Sequence, residues 1–157
     1  MGNLRKIICI GLLLIVNGCK TPWRGEIEET VFRRSQELFE LYLTSDAAKA
    51  RAVLTQEIDM LENAYISHAK ERRATILFME CARLYALEMR LGNEDSARLA
   101  LLKANYWNLR RYELNAVHGN IALEEWKLFT PEKLIHLVES SDKYHTNANG
   151  PQFYRNP

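Results

Sequence analysis

Residues 91–95, Leu-Gly-Asn-Glu-Asp, decide the fold, because they separate two apolar patterns of helical period. Gly92 suits the C-terminal end of one helix, where a left-handed backbone is common, and Asn93 suits the N-terminal cap of the next. Glu94 and Asp95 then lie in the first turn, where the helix dipole favours acidic side chains. The stretch therefore predicts a tight turn between two helices.

Apolar residues at intervals of three and four continue on both sides of this turn and predict about five helices. Three stripes precede the turn, within residues 26–91. After it, one helix is predicted from about Glu94 past Arg111. Thr130-Pro131-Glu132 combines a cap, a proline and an early acid, so it predicts the start of the last helix. The three early stripes consist of Ile27, Val31, Leu38 and Tyr42; of Ala50, Leu54, Ile58, Leu61 and Tyr65; and of Leu77, Cys81, Leu84, Leu87 and Leu91.

The N-terminus carries a different signal. Two positive charges, Arg5 and Lys6, precede ten uncharged and mostly aliphatic residues at positions 7–16. A membrane-spanning helix needs about 20 apolar residues, so this run is too short to cross a bilayer. A basic start followed by a short apolar segment is typical of a secretory signal.

Val16-Asn17-Gly18-Cys19 follows the apolar segment and resembles the lipobox of bacterial lipoproteins. An aliphatic residue lies three positions before the cysteine and a small residue directly before it, while Asn17 departs from the usual small or hydroxyl residue. The resemblance implies cleavage between Gly18 and Cys19 and a diacylglyceryl thioether on Cys19, whose thiolate is the nucleophile. Acylation of the new amino group would supply the second lipid signal that stable anchoring requires.

The resemblance also implies a location. In lipoprotein sorting of the enterobacterial type, Lys20 after the lipidated cysteine implies the outer membrane, facing the periplasm in a Gram-negative host. An ordinary secretory peptide and an uncleaved N-terminal anchor are the alternatives.

These signals divide the 157 residues into four segments. Residues 1–18 are interpreted as a lipoprotein signal peptide and residues 19–25 as a lipidated tether. Residues 26–144 are predicted to form one all-α domain of antiparallel hairpins, since a chain of this length has room for a single core. Residues 145–157 consist of turn formers without a period and are predicted to be a flexible C-terminal tail.

The joint around Gly92 is similar to a tetratricopeptide hairpin. In that repeat one alanine lies five residues after the turn glycine and another lies twelve after it, and Ala97 and Ala104 match. Small residues at these positions let antiparallel helices approach closely. An earlier turn repeats the first alanine at Ala50, but Glu57 occupies the second alanine position. The resemblance implies a loosely tetratricopeptide-like stack, to which a generic helical hairpin is the alternative.

Cysteine usage agrees with an exported protein. Cys9 would leave with the signal peptide and Cys19 would carry lipid, so Cys81 would be the remaining thiol. A single thiol in an oxidising compartment is safest when buried, and we expect Cys81 in the core.

The charge balance argues against nucleic acid. The chain has 21 Lys and Arg residues against 20 Asp and Glu residues, a formal net charge of +1. Removal of residues 1–18 takes away Arg5 and Lys6 and no acidic residue, which leaves −1. A near-neutral chain has no net attraction for polyphosphate, so we expect no nucleic-acid partner.

Motifs of known chemistry are missing from the sequence. Four histidines occur without an HExxH or ExxH spacing, and no CxxC is present, so we expect no metal. The sequence also lacks GxSxG, GxGxxG and GxxxxGK[ST], so we expect no cofactor and no catalysis. A catalytic pair of carboxylates has no characteristic spacing in the sequence, and a hydrolase therefore stays an alternative.

Residues 105–112 interleave aromatic and basic side chains and are the most distinctive segment. Such side chains can grip a protein partner. The alternative is structural, with a cation–π pair between Trp107 and Arg111 and with Tyr106 in the core. The candidate partner-binding residues are Trp107, Arg110, Arg111 and Tyr112.

The sequence-based hypothesis is a non-catalytic lipoprotein that binds another cell-envelope protein through a helical groove. A binder of a small ligand or envelope polymer, with a pocket that involves Trp107, Tyr112 or Trp126, is the first alternative. An exposed apolar groove would favour the adaptor, a closed aromatic pocket the binder, and a cleft with two carboxylates the hydrolase.

Overall fold

A computed structural model of the chain describes residues 24–64, 66, 68–117, 128–146, 150, 151 and 153. The predicted signal peptide, its cleavage site at Gly18 and Cys19, and Trp126 lie outside the described residues.

Five α-helices account for nearly all of the described chain, which contains no β-strand and confirms the all-α prediction. The helices are α1 (Arg24–Thr44), α2 (Ala47–Asn63), α3 (Lys70–Arg90), α4 (Glu94–Val117) and α5 (Pro131–His145). Within the described residues, no helix is both long enough and apolar enough to span a bilayer.

Two helix starts follow from their capping residues. Asp46 precedes α2, and its Oδ1 accepts a hydrogen bond from the backbone N–H of Lys49 at 2.8 Å. Thr130 precedes α5 in the same way and accepts from the backbone N–H of Lys133 at 3.5 Å, with Pro131 at the first helical position. Each cap satisfies an N–H group that the helix itself leaves without a partner, which fixes where the helix begins.

The turn between α3 and α4 is a Schellman motif around Gly92. The glycine has a φ of +71°, its N–H donates to the carbonyl of Met89 at 3.2 Å, and the N–H of Asn93 donates to the carbonyl of Glu88 at 2.9 Å. The Asn93 side chain donates to a Glu88 carboxylate oxygen at 2.7 Å, which ties the turn to the last turn of α3. The predicted tight turn is confirmed.

Helix α3 is the centre of the structure, because α2, α4 and α5 all pack against it, while α1 packs against α2. Ala97 and Ala104 are fully buried in the main core, as close packing of small residues requires. Cys81 is a free thiol within the same core, which confirms its predicted burial. The buried residues of this core are Ile58, Leu61, Leu77, Phe78, Cys81, Ala82, Tyr85, Ala86, Ala97, Ala100, Ala104, Leu134 and Val138.

A smaller cluster joins α1 and α2 and includes part of the C-terminal segment. Phe153 is only 6% exposed, and its ring meets the ring of Tyr42 edge-on with centroids 5.4 Å apart. The sequence predicts a flexible tail over residues 145–157; within it, the described Gly150, Pro151 and Phe153 are buried. Phe153 lies in a stretch of sequence without helical period, and it belongs to this cluster through its contact with Tyr42, which is distant in the chain.

Candidate functional site

Two features of the described structure can carry a function. One is a buried group of ionisable side chains, the carboxylate cluster, which consists of Glu57, Glu80, Arg83 and Asp142. The other is an open depression on the outer surface, the apolar groove, which lies between α2 and α4.

The carboxylate cluster is assembled from three helices. Glu57 lies on α2, Glu80 and Arg83 on α3, and Asp142 on α5, and each is at most 5% exposed. Burial of four ionisable side chains is unusual, because an ion loses its hydration when it leaves water. Their mutual contacts therefore decide which of them carry charge.

Arg83 is the centre of the cluster. Its Nε donates to Asp142 Oδ1 at 2.9 Å, and its Nη1 donates to Glu80 Oε1. Its guanidinium carbon lies 4.3 Å from the centroid of the Phe39 ring. Burial lowers the pKa of Arg83, but the adjacent carboxylates outweigh this effect and raise the pKa above its ordinary value. Arg83 is therefore a permanent cation.

Asp142 is supported from both sides. Besides the bond from Arg83, its Oδ2 accepts a hydrogen bond from the hydroxyl of Tyr42 on α1 at 2.7 Å. Both carboxylate oxygens of Asp142 are therefore hydrogen-bonded, and a bond from a charged donor such as Arg83 is stronger than one between neutral groups.

Glu57 is in the opposite situation. Its Oε1 accepts a hydrogen bond from Ser35 on α1, but among the described residues its Oε2 and the Oε2 of Glu80 are buried without a hydrogen-bond partner. Burial, and then the nearby Glu80, raise the pKa of Glu57 from 4.5 to about 8, although Ser35 and Arg83 oppose the shift. Glu57 consequently holds a proton at neutral pH.

Glu80 is affected by the same forces. Burial raises its pKa, Arg83 opposes the shift, and Asp142 adds to it. Because one guanidinium faces three carboxyl groups, the cluster is overloaded with negative charge unless a proton or another cation is present.

A cleft of about 280 Å³ reaches this cluster from the surface. Glu57, Glu80 and Arg83 line it, together with Phe39, Ile76 and Met79, and His145 contributes an exposed side chain. A neutral carboxyl group at such a cleft can donate a proton or a hydrogen bond, and an ionised one can accept from a cationic ligand.

The apolar groove is larger, at about 850 Å³. Ala48, Ala52 and Thr55 form its wall on α2, Leu84 on α3 contributes to its lining, and Leu99 lines it on α4. Small residues on one side and a leucine on the other leave room for the side chains of a partner.

The α4 side of the groove continues as an exposed apolar stripe. Leu99, Leu102 and Tyr106 are 59%, 64% and 55% exposed, and their spacing of three and seven residues places them on one helix face. Exposed large apolar residues that are contiguous, rather than scattered, are typical of interaction sites.

Polar contacts define the ends of the groove. Near the Gly92 turn, Arg51 Nε donates to the buried Glu88 at 2.5 Å. Farther along, Lys103 pairs with Glu62 at 3.0 Å. Both ends therefore carry charge, and the lining between them combines apolar residues with the polar Gln56 and Asp59.

The four predicted partner-binding residues have different surroundings in the structure. Trp107 is half-buried and donates from Nε1 to Glu62 at 3.3 Å, whereas Arg110 is paired with Glu113 on the surface. Arg111 lies 4.8 Å from the centroid of the Phe78 ring and 5.1 Å from that of Tyr112.

The structural alternative for this segment is also partly wrong. Tyr106 was expected in the core, but it is exposed and belongs to the apolar stripe. Asn108, two residues further along α4, is completely buried, and Tyr106 therefore lies on the outer face of the helix.

The sequence contains two signals for the carboxylate cluster, although neither belongs to a known motif. Glu57 was the misfit at the small-residue position of the repeat, and Asp142 follows Leu134 and Val138 at the spacing of a buried stripe.

Within the described residues, no three His, Cys, Asp or Glu side chains converge in a way that could hold a metal ion.

Comparison with known proteins gives no assignment: no protein family, no curated protein and no solved structure matches this chain.

Proposed function

We propose that this protein is a membrane-anchored lipoprotein that acts as a non-catalytic scaffold, and that its apolar groove holds an amphipathic helix of another cell-envelope protein. The exposed stripe of Leu99, Leu102 and Tyr106 beside the groove is the observation that carries the proposal.

The chemistry of the groove favours a helix as the occupant. An amphipathic helix places apolar side chains at intervals of three and four, and the stripe on α4 presents its own side chains at matching intervals. On the other wall, Ala48 and Ala52 are small and four residues apart, which permits a close approach of a helix backbone. Polar and charged side chains beside the apolar ones in the lining also suit a helix whose polar residues flank its apolar face.

The membrane anchor rests on residues 1–20. The lipobox-like Val16-Asn17-Gly18-Cys19 supports lipidation of Cys19, and Lys20 supports transfer to the outer membrane, facing the periplasm, in a Gram-negative host. Anchored in this way, the scaffold would meet periplasmic and membrane proteins, and nucleic acid is not among the proposed partners.

Site-specific photocrosslinking tests the groove. The photoreactive residue p-benzoylphenylalanine is placed at Leu102 in the full-length chain expressed in Gram-negative cells, with Glu40 on the exposed face of α1 as the control position. We expect one discrete crosslinked protein from position 102 and none from position 40. A synthetic peptide of the crosslinked segment should bind the purified protein and gain helical circular dichroism.

Two matched substitutions make this test specific. Thr55 lines the groove and Thr30 lies on α1; both are exposed, and each hydroxyl bonds to the carbonyl four residues earlier, at 2.9 Å and 2.7 Å. Thr55→Arg should abolish the crosslink and peptide binding, because a long charged side chain then fills the groove, while Thr30→Arg should leave both intact. A crosslink that survives Thr55→Arg, or a peptide that binds without becoming helical, would contradict the proposal.

A further inference from the structure

We propose that the cleft beside the carboxylate cluster is a binding site for a small organic cation, whose ammonium group donates hydrogen bonds to the Oε2 atoms of Glu57 and Glu80. This site is separate from the apolar groove and does not depend on the scaffold function.

The first argument is the pair of oxygens without donors. Glu57 and Glu80 are 0% and 3% exposed and both line the cleft, yet each keeps one carboxylate oxygen without a hydrogen-bond partner in the part of the chain that the structure describes. Buried polar atoms in folded proteins are nearly always hydrogen-bonded, so two such oxygens at one cleft indicate where a donor group fits.

The second argument is the balance of charge. Glu80 and Arg83 on α3 act directly on Glu57, and α1 contributes the hydroxyl of Ser35. On α5, His145 lines the same cleft, and Asp142 reaches the cluster through Arg83 and the hydroxyl of Tyr42. Arg83 already compensates for part of the negative charge of Glu80 and Asp142 through its two ion pairs. One guanidinium therefore faces three carboxyl groups, so Glu57 is neutral at pH 7 only because it holds a proton, and a ligand cation would take the place of that proton.

The third argument is the shape and lining of the cleft. Its volume of about 280 Å³ is small, and Phe39, Ile76 and Met79 give it apolar walls. An ammonium group at the carboxylates with a short alkyl chain along these walls satisfies both parts of the lining. The Phe39 ring, already in contact with the Arg83 guanidinium at 4.3 Å, offers a further surface that attracts cations.

The raised pKa of Glu57 adds a measurable consequence. Since Glu57 holds a proton at neutral pH, a bound ammonium group must displace that proton in order to use the carboxylate. Binding should therefore release about one proton per site at pH 7.

Isothermal titration calorimetry on the full-length protein tests the site, with butan-1-amine as the probe and butan-1-ol as its uncharged counterpart. We expect saturable binding of the amine only, with a heat that changes with the ionisation enthalpy of the buffer, as proton release requires. Binding of the alcohol with similar affinity, or a heat independent of buffer, would overturn the proposal. Saturable binding of Ca²⁺ at the same site, competitive with the amine and tighter, would also overturn it.

Substitutions in the cleft identify the site. Glu57→Gln keeps the shape and removes the charge, and it should weaken amine binding by about tenfold or more. Glu40→Gln, on the exposed face of α1 and outside the cleft, is the matched control and should bind like the unsubstituted protein. Equal affinity of Glu57→Gln and the control would overturn the proposal.

A second variant distinguishes loss of the binding site from loss of the fold. Ile76 is only partly buried and lines the cleft, so Ile76→Trp should fill it while both carboxyl groups stay in place. Circular dichroism monitors folding of each variant. Loss of amine binding in a folded Ile76→Trp supports the cleft as the site, and retained binding overturns it.

Discussion

The hydroxyl of Tyr42 donates a hydrogen bond of 2.7 Å to Asp142, 100 residues further along the chain. The bond joins the first helix to the last, and both residues are completely buried. Arg83, on the central helix, reaches the other oxygen of the same carboxylate at 2.9 Å. One aspartate therefore links α1, α3 and α5, and the stability of the fold should depend on it.

Removal of the Tyr42 hydroxyl should destabilise the protein. In Tyr42→Phe the ring stays in the core, but Asp142 loses one of its buried donors, which should cost about 1–3 kcal/mol of the free energy of unfolding. Urea denaturation followed by circular dichroism measures the change. Tyr144→Phe is the matched control on α5, because Tyr144 is 83% exposed, and it should stay within about 0.5 kcal/mol. Equal stability of the two variants would refute the role of this bond.

The pH dependence of stability should have an unusual sign. Burial and the nearby Glu80 raise the pKa of Glu57 from 4.5 to about 8, so the folded state binds a proton more tightly than the unfolded state. The stabilisation from this proton is complete below about pH 4.5 and is lost progressively up to about pH 8, by at most about 1.4 kcal/mol per pH unit. The raised pKa of Glu80 contributes in the same direction.

Urea denaturation between about pH 5 and pH 9 measures this loss. In Glu57→Gln the neutral amide replaces the protonated carboxyl group, so the fall in stability with rising pH should become shallower. Glu40→Gln, on the exposed surface of α1, should leave the slope unchanged. A slope that is the same with and without the Glu57 carboxyl group would contradict the assignment.

Position 92 should have room for a larger side chain, but its left-handed backbone conformation should disfavour residues other than glycine. A Cβ atom at this position would meet nothing within 4 Å, so any cost of Gly92→Ala comes from its φ of +71°. We expect a loss of about 1–2 kcal/mol in the free energy of unfolding for alanine. Asparagine adopts this conformation more readily, so Gly92→Asn should lose less. Alanine and asparagine variants of equal stability would show that the turn does not require this backbone geometry.

Gly92 and Asn93 show which parts of the fold can be predicted from the sequence. Gly92 and Asn93 were sufficient to predict a tight turn, because the cap of a helix depends on residues close in the chain. The predicted burial of Cys81 was confirmed as well, since a helical stripe fixes which residues share one face.

The carboxylate cluster escaped prediction for a different reason. Glu57, Glu80 and Asp142 occupy positions on buried helix faces, but their partners come from other helices, and only the packing of α3 against α2 and α5 brings them together. The apolar groove likewise depends on how α2 and α4 are placed on α3. Periodicity within one helix contains no information on that placement.

Lipidation of Cys19 stays a prediction from the sequence, and intact mass decides it. The protein is purified from the membranes of Gram-negative cells that express the full chain, beside Cys19→Ala and beside Cys9→Ala as a matched control within the apolar segment. We expect the original chain and Cys9→Ala to begin at Cys19 and to carry the mass of a diacylglyceryl group and one further acyl group, because the leader that contains Cys9 is removed. Cys19→Ala should lack that mass and retain residues 1–18. An unmodified cysteine in the original chain would refute the lipoprotein assignment, and with it the location at the membrane, while leaving the apolar groove open to a partner in another compartment.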